Sequence, residues 1–152
     1  MPITFHPLCP ENLKEAFGLN ITEDQRSESQ LGTVDEIIEK MCAIEEIQQN
    51  VIYDDALPIG YIAFRVFPGD GKSGGIDRFF IDHQYQAKGY GTAALQLALK
   101  ILCDDLGCET VQLNYMHFAL NTASFYEKLG FVAEPPNNMG EVKAVYTNKK
   151  SN

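Results

Sequence analysis

Residues 76–99, IDRFFIDHQYQAKGYGTAALQLAL, join a buried-looking strand to an apolar helix through a loop that contains Gly89 and Gly91. The backbone N–H groups at the start of a helix have no intrahelical partner and carry the positive end of the helix dipole. Glycines at that point let an anion approach the backbone closely. The stretch therefore predicts a strand, a loop that binds a phosphorylated ligand, and a helix.

The overall composition and charge restrict the partners that this loop can serve. The chain has 152 residues, of which 45% are hydrophobic and 22% are charged, and these values are typical of one folded domain. Its formal net charge of −9 argues against nucleic acid, because binding a phosphate backbone needs clustered Lys and Arg. A small cationic substrate suits an acidic protein better.

Targeting signals and metal-binding patterns are not apparent in the sequence. No leader pattern opens it, and its longest apolar runs fall far short of a membrane span. The cysteines and histidines are Cys9, Cys42, Cys103, Cys108, His6, His83 and His117. Their spacings fit neither a zinc site nor a CxxC redox motif. We therefore expect a cytoplasmic protein with reduced thiols, no metal and no membrane partner.

Apolar periodicity predicts strands and helices that follow one another in a single domain over residues 1–152. The predicted strands span residues 3–6, 51–54, 59–67, 75–82, 110–115, 131–133 and 142–147, and the predicted helices span 11–17, 34 to about 48, 91–106 and 122–129. Thr33 and Glu36 form a capping box, Asn121 is a candidate N-cap, and Gly130 suits the position after a helix. The polar stretch 21–30, ITEDQRSESQ, is predicted to be a loop or a frayed helix. The order of elements indicates an α/β domain with a mixed sheet.

A dinucleotide-binding loop is the main alternative for the glycine-containing stretch. Gly89, Gly91 and Ala94 form a GxGxxA pattern, and Glu109 lies at a suitable distance for a ribose contact. That loop should follow the first strand of a βαβ unit, however, whereas here several strands come first and about sixty residues remain. Glu109 also precedes its strand instead of ending it, so the pattern as a whole disfavours this alternative.

Two motifs resemble a known family. The loop 86–91, QAKGYG, matches the QxxGxG signature of the GNAT acetyltransferase superfamily, and 125–131, FYEKLGF, resembles the closing helix and strand of that superfamily. The similarity extends element by element over almost the whole chain and is weakest before about Val51. The block 77–91, DRFFIDHQYQAKGYG, is similar to bacterial polyamine acetyltransferases of the spermine/spermidine type.

The resemblance implies a mixed, mostly antiparallel sheet of about seven strands flanked by about four helices, with acetyl-CoA as cosubstrate. The pyrophosphate would lie on the backbone amides of residues 87–92, and the backbone edge of residues 79–81 would bind the pantetheine arm. The implied cosubstrate-binding residues are Phe79, Phe80, Ile81, Gln86, Ala87, Lys88, Gly89, Tyr90, Gly91, Thr92 and Asn121. Asn121 has two interpretations, helix cap or CoA contact. Many members carry a second asparagine where this chain has Ala119.

The resemblance also implies which residues perform the chemistry. Tyr126 stands where the family has a tyrosine that protonates the departing CoA thiolate, although a core aromatic is the alternative. Asp77 is a candidate base and substrate ligand, or else a solvated strand-end carboxylate. Glu23 and Asp24 are candidate substrate residues, because the resemblance places them in the region that usually shapes the acceptor side, and a solvated loop is the alternative.

The predicted function is acetyl transfer to a primary amine of a small molecule, with a polyamine or diamine leading. The alternatives are another amine, such as an amino acid, an aminoglycoside or a protein N-terminus, and a CoA-binding module without catalysis. Family habit also implies a homodimer.

Overall fold

The computed structural model describes residues 2–21, 33–69, 71–116 and 120–149. Over these residues the chain forms a sheet whose strands are β1 (Ile3–Pro7), β2 (Gln48–Asp54), β3 (Leu57–Val66), β4 (Ser73–Ile81), β5 (Thr110–Met116), β6 (Val132–Ala133) and β7 (Glu141–Thr147). The strand order is β1-β2-β3-β4-β5-β7-β6. All neighbouring strands are antiparallel except β4 and β5, which are parallel. The predicted seven-stranded, mostly antiparallel sheet is confirmed.

Four α-helices flank this sheet in the described parts of the chain: α1 (Leu13–Phe17), α2 (Val34–Cys42), α3 (Tyr90–Lys100) and α4 (Leu120–Lys128). The helix α3 continues as one turn of π-helix over Ile101–Asp105, so the long predicted helix changes its hydrogen-bond pattern near its end. Within the described ranges, no helix is both long enough and apolar enough to cross a membrane.

The sheet carries a core on each face. Buried residues of α3, including Leu95 and Ala98, pack on one face together with Ile62 and Val111. On the other face, apolar residues of α1 and α2, including Ala16 and Ile37, pack against a second cluster of β2 and β3 residues. The β4 residues Phe79 and Phe80 belong to different faces, because Phe79 packs against the first core and Phe80 lies in the second. Two-sided burial explains why the central strands are apolar along most of their length.

Helix α2 begins as predicted but ends earlier. The Thr33 hydroxyl accepts a hydrogen bond from the Glu36 amide at 3.3 Å, which confirms the N-cap. The predicted end near Gln48 is wrong, because the helix ends at Cys42 and Gln48 already pairs with Phe64 in the sheet. Pairing with β3 outweighs the apolar periodicity that continues through Ile47, which still packs against the second core.

The boundaries of α4 also differ from the prediction. The helix starts at Leu120, so Asn121 lies in its first turn and the predicted N-cap at Asn121 is wrong. The C-terminal signal is confirmed, since Gly130 has φ of 103° and the Phe131 amide donates to the Tyr126 carbonyl at 3.1 Å. A left-handed glycine that closes the last turn in this way is a common helix end.

Gly60 controls how closely β3 approaches β4, and its replacement predicts a measurable loss of stability. A Cβ at Gly60 would lie 2.5 Å from the Phe80 carbonyl oxygen, and backbone cannot move aside as a side chain can. We expect Gly60→Ala to lower the free energy of unfolding by about 1.5 kcal/mol in urea denaturation, as overpacking does. Gly18→Ala is the control, because the added Cβ would stand 3.5 Å from its nearest atoms. Equal stability of both variants would contradict this account of Gly60.

Candidate active site

A cleft opens in the middle of the sheet because β4 and β5 diverge. The two strands pair only from Ser73↔Thr110 to Gly75↔Gln112. Beyond Gly75, β4 and β5 form no further ladder pairs along the described parts of both strands. Unpaired backbone N–H and C=O groups at a strand edge can bind an extended ligand as a further strand would.

A β-bulge in β4 lies at the start of this cleft. The register with β3 shifts between the pairs Ala63↔Arg78 and Phe64↔Ile76, so Asp77 is the extra residue. The Arg78 guanidinium donates from Nη1 to the Asp77 carbonyl at 2.6 Å, which satisfies a backbone acceptor that the bulge removes from the ladder. Bulges redirect side chains and are frequent beside active sites. Here the bulge sets Asp77 and Arg78 in the cleft wall.

The cleft has two sections that meet at Asp77 and Arg78. The larger section, about 260 Å³, is bounded by β4, β5, the start of β7 and Lys40 of α2. The smaller section, about 50 Å³, adds Phe79 and the α4 residue Tyr126 to the same strands. Since α2 and α4 pack on opposite faces of the sheet, the two sections give access from both faces to one point between the strands.

The glycine-containing loop leads into α3 with two residues in the left-handed region. Gly89 is the N-cap, with φ of 87°, and Ala87 has φ of 61°. The first intrahelical bond is donated by the Ala93 amide to the Gly89 carbonyl at 3.1 Å. The amides of residues 90–92 therefore have no acceptor inside the helix. With the helix dipole behind them, these amides fit an anionic group such as a pyrophosphate.

Buried hydrogen bonds hold the start of this loop. Asp82 is only 2% exposed, and its carboxylate accepts from the amides of Gln84 at 3.0 Å and Asn20 at 2.8 Å. The Gln86 side chain donates from Nε2 to the Ile81 carbonyl at 2.9 Å. The glutamine of the QxxGxG signature thus has a structural role in this chain, because it fixes the loop to the end of β4.

Gly91 allows α4 to approach α3 closely. A Cβ at Gly91 would lie 3.2 Å from Cζ of Phe125 and 3.8 Å from Cζ of Phe79. Both rings are partly buried and pack against the first core. The predicted role of this glycine is access for a ligand, and the structure adds a second reason for it. A Cβ there would require the Phe125 ring of α4 to shift by a few tenths of an ångström.

Tyr90 ties the start of α3 to the end of β2. Its hydroxyl donates to Oδ2 of Asp54 at 2.5 Å, and this hydrogen bond is the main cause that raises the pKa of Tyr90 above its ordinary value. A hydrogen bond to a carboxylate is stronger than one between neutral groups. The contact therefore restrains the first turn of α3, which carries the anion-binding amides.

Tyr126 lies in an aromatic cluster at the smaller section of the cleft. Its ring stacks on Tyr115 with centroids 5.6 Å apart and meets the edge of Phe131 at 5.7 Å. Burial raises the pKa of Tyr126 well above its ordinary value, and the nearby Tyr115 adds to the shift. Tyr126 therefore stays protonated at neutral pH, as a proton donor must. Packing of the Tyr126 ring on Tyr115, Phe125 and Phe131 also holds its hydroxyl in a fixed position.

Asp77 is ion-paired inside the protein, which the sequence did not predict. Nε of Arg65 donates to Oδ2 of Asp77 at 3.1 Å, and the two side chains are 26% and 18% exposed. The structure thus does not place Asp77 as the fully solvated carboxylate of the alternative interpretation. It brings Asp77 together with Tyr126 along the same section of the cleft.

The remaining predicted site residues divide into three groups. The Phe79 and Phe80 side chains pack in the cores, as expected for a strand whose backbone alone would bind a ligand, and Lys88 is exposed at the loop. Asn121 lies in the first turn of α4, and its side chain is not described. The candidate substrate residues Glu23 and Asp24, with most of the stretch 21–30, lie outside the described residues.

Four residues that line the cleft were not predicted from the sequence, namely Lys40, Arg78, Asn114 and Tyr115. Arg65, which pairs with the cleft residue Asp77, was not predicted either. Arg65 stands opposite Gly75 in the hairpin register, so pairing the two strands in the sequence would have suggested that it reaches β4. The others follow from the divergence of β4 and β5, for which the sequence carries no local signal.

This geometry defines a class of protein. A helix start whose first amides have no helical acceptor, beside a cleft that opens to both faces of a sheet, suits a group-transfer protein with a phosphorylated donor. The sequence model of the acetyltransferase (GNAT) family matches residues 19–131. The chain belongs to this family.

The similarity to individual proteins is lower. A spermine/spermidine N(1)-acetyltransferase from Bacillus subtilis is 29% identical over 85 residues, which are 53% of this chain and 56% of that protein. The match thus spans a little over half the length of this relative.

Two solved structures share the fold along nearly the whole chain. A spermidine N-acetyltransferase chimera from Vibrio cholerae and hSSAT superposes with a TM-score of 0.78 at 20% identity, covering 99% of this chain and 98% of the other. An aminoglycoside acetyltransferase in complex with coenzyme A has a TM-score of 0.76 at 19% identity, with 97% and 95% covered. At such identities the likeness establishes the fold.

Proposed function

We propose that this protein is an N-acetyltransferase that transfers the acetyl group of acetyl-CoA to a primary amine of a small molecule. The observation that carries the proposal is the cleft between β4 and β5, which has the anion-binding start of α3 at one side and Tyr126 in its wall. Membership of the acetyltransferase family supports the same reaction. The structure with coenzyme A named above supports the donor.

The donor would lie along the loop and the side of β4 that faces β5. Its pyrophosphate fits the amides of residues 87–92, where the Lys88 side chain is exposed and adds a positive charge. The pantetheine arm would run along the β4 backbone over Phe79, Phe80 and Ile81, beyond the last ladder pair of β4 with β5, and hydrogen-bond to it there. These contacts direct the thioester into the cleft toward Tyr126.

The transfer is proposed to proceed by direct attack. The amine nitrogen forms a bond to the acetyl carbon, the carbon–sulfur bond breaks, and the CoA thiolate takes a proton from Tyr126. The second proton that the nitrogen loses on becoming an amide returns to Tyr126, directly or through a water molecule. The acceptor enters as an ammonium ion, and deprotonating an alkylamine with a pKa near 10.4 at neutral pH costs roughly 4 to 5 kcal/mol. Asp77 is the proposed acceptor of that proton, directly or through a water molecule, and the proposed ligand of the ammonium group.

A polyamine or diamine is the proposed acceptor. The relative from Bacillus subtilis is named for spermine and spermidine, and the chimeric structure for spermidine. The net charge of −9 favours cationic molecules in general. Since an aminoglycoside acetyltransferase superposes almost as well, other amines enter the test as competitors.

An amine panel tests the reaction and the acceptor together. Free thiol released from acetyl-CoA is measured with spermine, spermidine, putrescine, kanamycin, lysine and a peptide with a free N-terminus. We expect kcat/KM for spermidine or spermine to exceed that for each non-polyamine by about tenfold or more, the equivalent of about 1.4 kcal/mol of preferential recognition. Similar rates across the panel would contradict a polyamine acceptor. CoA binding without thiol release from any amine would contradict catalysis.

Location and assembly remain predictions from the sequence and the family. We propose a cytoplasmic protein that forms a homodimer and uses no metal. Sedimentation velocity of the purified chain tests the dimer, and full activity in the presence of a chelator is the result expected for a reaction without metal.

A further inference from the structure

A stack of side chains occupies the end of the larger cleft section that lies toward the β3–β4 turn. A Cβ at Gly75 would lie 2.5 Å from Cζ of Phe67, so the phenyl ring lies directly over this glycine. The Arg65 guanidinium carbon is 4.7 Å from the centroid of the same ring. Arg65 then reaches Asp77 at 3.1 Å. The absence of a side chain at Gly75 therefore lets Phe67 support the arginine that holds Asp77.

The charges around Asp77 do not form an acidic pocket. Among the described residues, the walls of the larger section carry the cations Lys40 and Arg78 and the anions Asp77 and Glu141. Arg65 adds one more positive charge, on the carboxylate itself. Acceptors with several ammonium groups would be attracted to Asp77 and repelled by the guanidinium bound to it. At 18% exposure, the Asp77 side chain is only partly screened by water.

We infer that Arg65 is a specificity-determining residue, which limits the affinity for polycationic acceptors by competing with their ammonium groups for Asp77. The inference rests on the proposed function, because it assumes that the acceptor amine enters this section of the cleft. Arg65 acts through Asp77, so it is a positioning residue and does not touch the reacting atoms. Its effect belongs to acceptor binding and leaves the donor side unchanged.

The substitution Arg65→Gln tests this role, with spermidine and acetyl-CoA as the probes. We expect KM for spermidine to fall about fivefold, since the carboxylate loses its competing cation. The expected KM for acetyl-CoA is unchanged. The separate variant Arg65→Lys keeps the positive charge and should keep the wild-type KM for spermidine. Lys72→Gln is the control for net charge, because Lys72 pairs with Glu109 outside the cleft and its loss should leave both values unchanged.

The variant Asp77→Asn separates competition from a merely structural role. That background lacks the proposed base, so its affinity for spermidine is measured by calorimetric titration with CoA bound. Arg65→Gln should give no fivefold gain there, because the carboxylate for which the two cations compete is gone. An unchanged or higher KM for spermidine in Arg65→Gln would overturn the inference, as would a gain that persists with Asp77→Asn. Arg65→Met, which keeps an aliphatic stem over Phe67, replaces Arg65→Gln if the latter fails to fold. If no amine is acetylated, the proposed function fails, and calorimetric titration of spermidine into the same variants with CoA bound still tests the competition.

Discussion

Replacing Tyr126 by phenylalanine is expected to lower kcat about 100-fold, the lower end of what a general acid contributes. The substitution removes one hydroxyl from the ring that stacks on Tyr115 and leaves the ring packing in place. The proposed donor-binding loop lies in a different segment, so the affinity for CoA should stay within about twofold of the wild type. Thiol release under saturating acetyl-CoA gives kcat, and calorimetric titration with CoA gives the affinity.

The pH dependence of the wild type provides a second test of the same role. Burial raises the pKa of Tyr126 above the ordinary value of 10.0, so the donor form persists through the range in which the enzyme can be assayed. The rate should therefore rise with pH as more of the amine loses its proton, with no fall from tyrosine ionisation below pH 10. A phenol whose pKa is raised by burial is a weaker acid than a free thiol of pKa about 8.5. Burial in the cleft would also raise the pKa of the CoA thiol, so the pKa values of the phenol and the thiol differ less than this comparison suggests.

Tyr146→Phe is the matched control for the loss of a phenol hydroxyl. Tyr146 packs on Phe131 at 5.7 Å between ring centroids but does not line either section of the cleft. The activity of Tyr146→Phe should stay near the wild-type value. Full activity of Tyr126→Phe would remove the tyrosine from the mechanism and leave water as the proton donor. An equal loss in both variants would attribute the effect to packing.

The sequence predicts those parts of the protein that depend on local chemistry. The strand, glycine-containing loop and helix over residues 76–99 form as expected, because the apolar strand, Gly89 and the apolar helix face each favour that structure independently of the rest of the chain. Thr33 caps α2 for the same reason. The positions of Tyr126 and Asp77 in one cleft follow from the order of elements, which the family resemblance supplies.

The features that the sequence did not predict all depend on contacts between distant segments. The end of α2 is set by the pairing of Gln48 with Phe64, and the ion pair of Asp77 by the register of β3 with β4. The left-handed conformation of Ala87 is unfavourable for a residue with a side chain, so nothing local indicates it. The hydrogen bonds of the Asp82 and Gln86 side chains, both of which follow the end of β4, restrain this loop.

Replacing Gly89 by alanine is expected to weaken CoA binding about 5- to 30-fold, the equivalent of the 1 to 2 kcal/mol that a side chain costs in the left-handed region. Gly89 has φ of 87° and the loop around it is exposed, so an alanine there can relax locally and turn the helix-start amides away. Binding a pyrophosphate would then require the unfavourable conformation to be restored. The effect should be absent with acetyl-pantetheine as donor, because that molecule has no phosphates.

Gly107→Ala distinguishes a specific loss of phosphate binding from general strain. Gly107 is also left-handed, with φ of 77°, and an added Cβ would meet nothing within 4 Å. It lies between the π-helical turn and β5, where the next amide, that of Cys108, donates to Leu102 at 2.9 Å. The same conformational penalty should appear there as a lower free energy of unfolding with unchanged CoA affinity. If both variants bind CoA as the wild type does, the prediction that the left-handed Gly89 supports phosphate binding at the start of α3 is wrong.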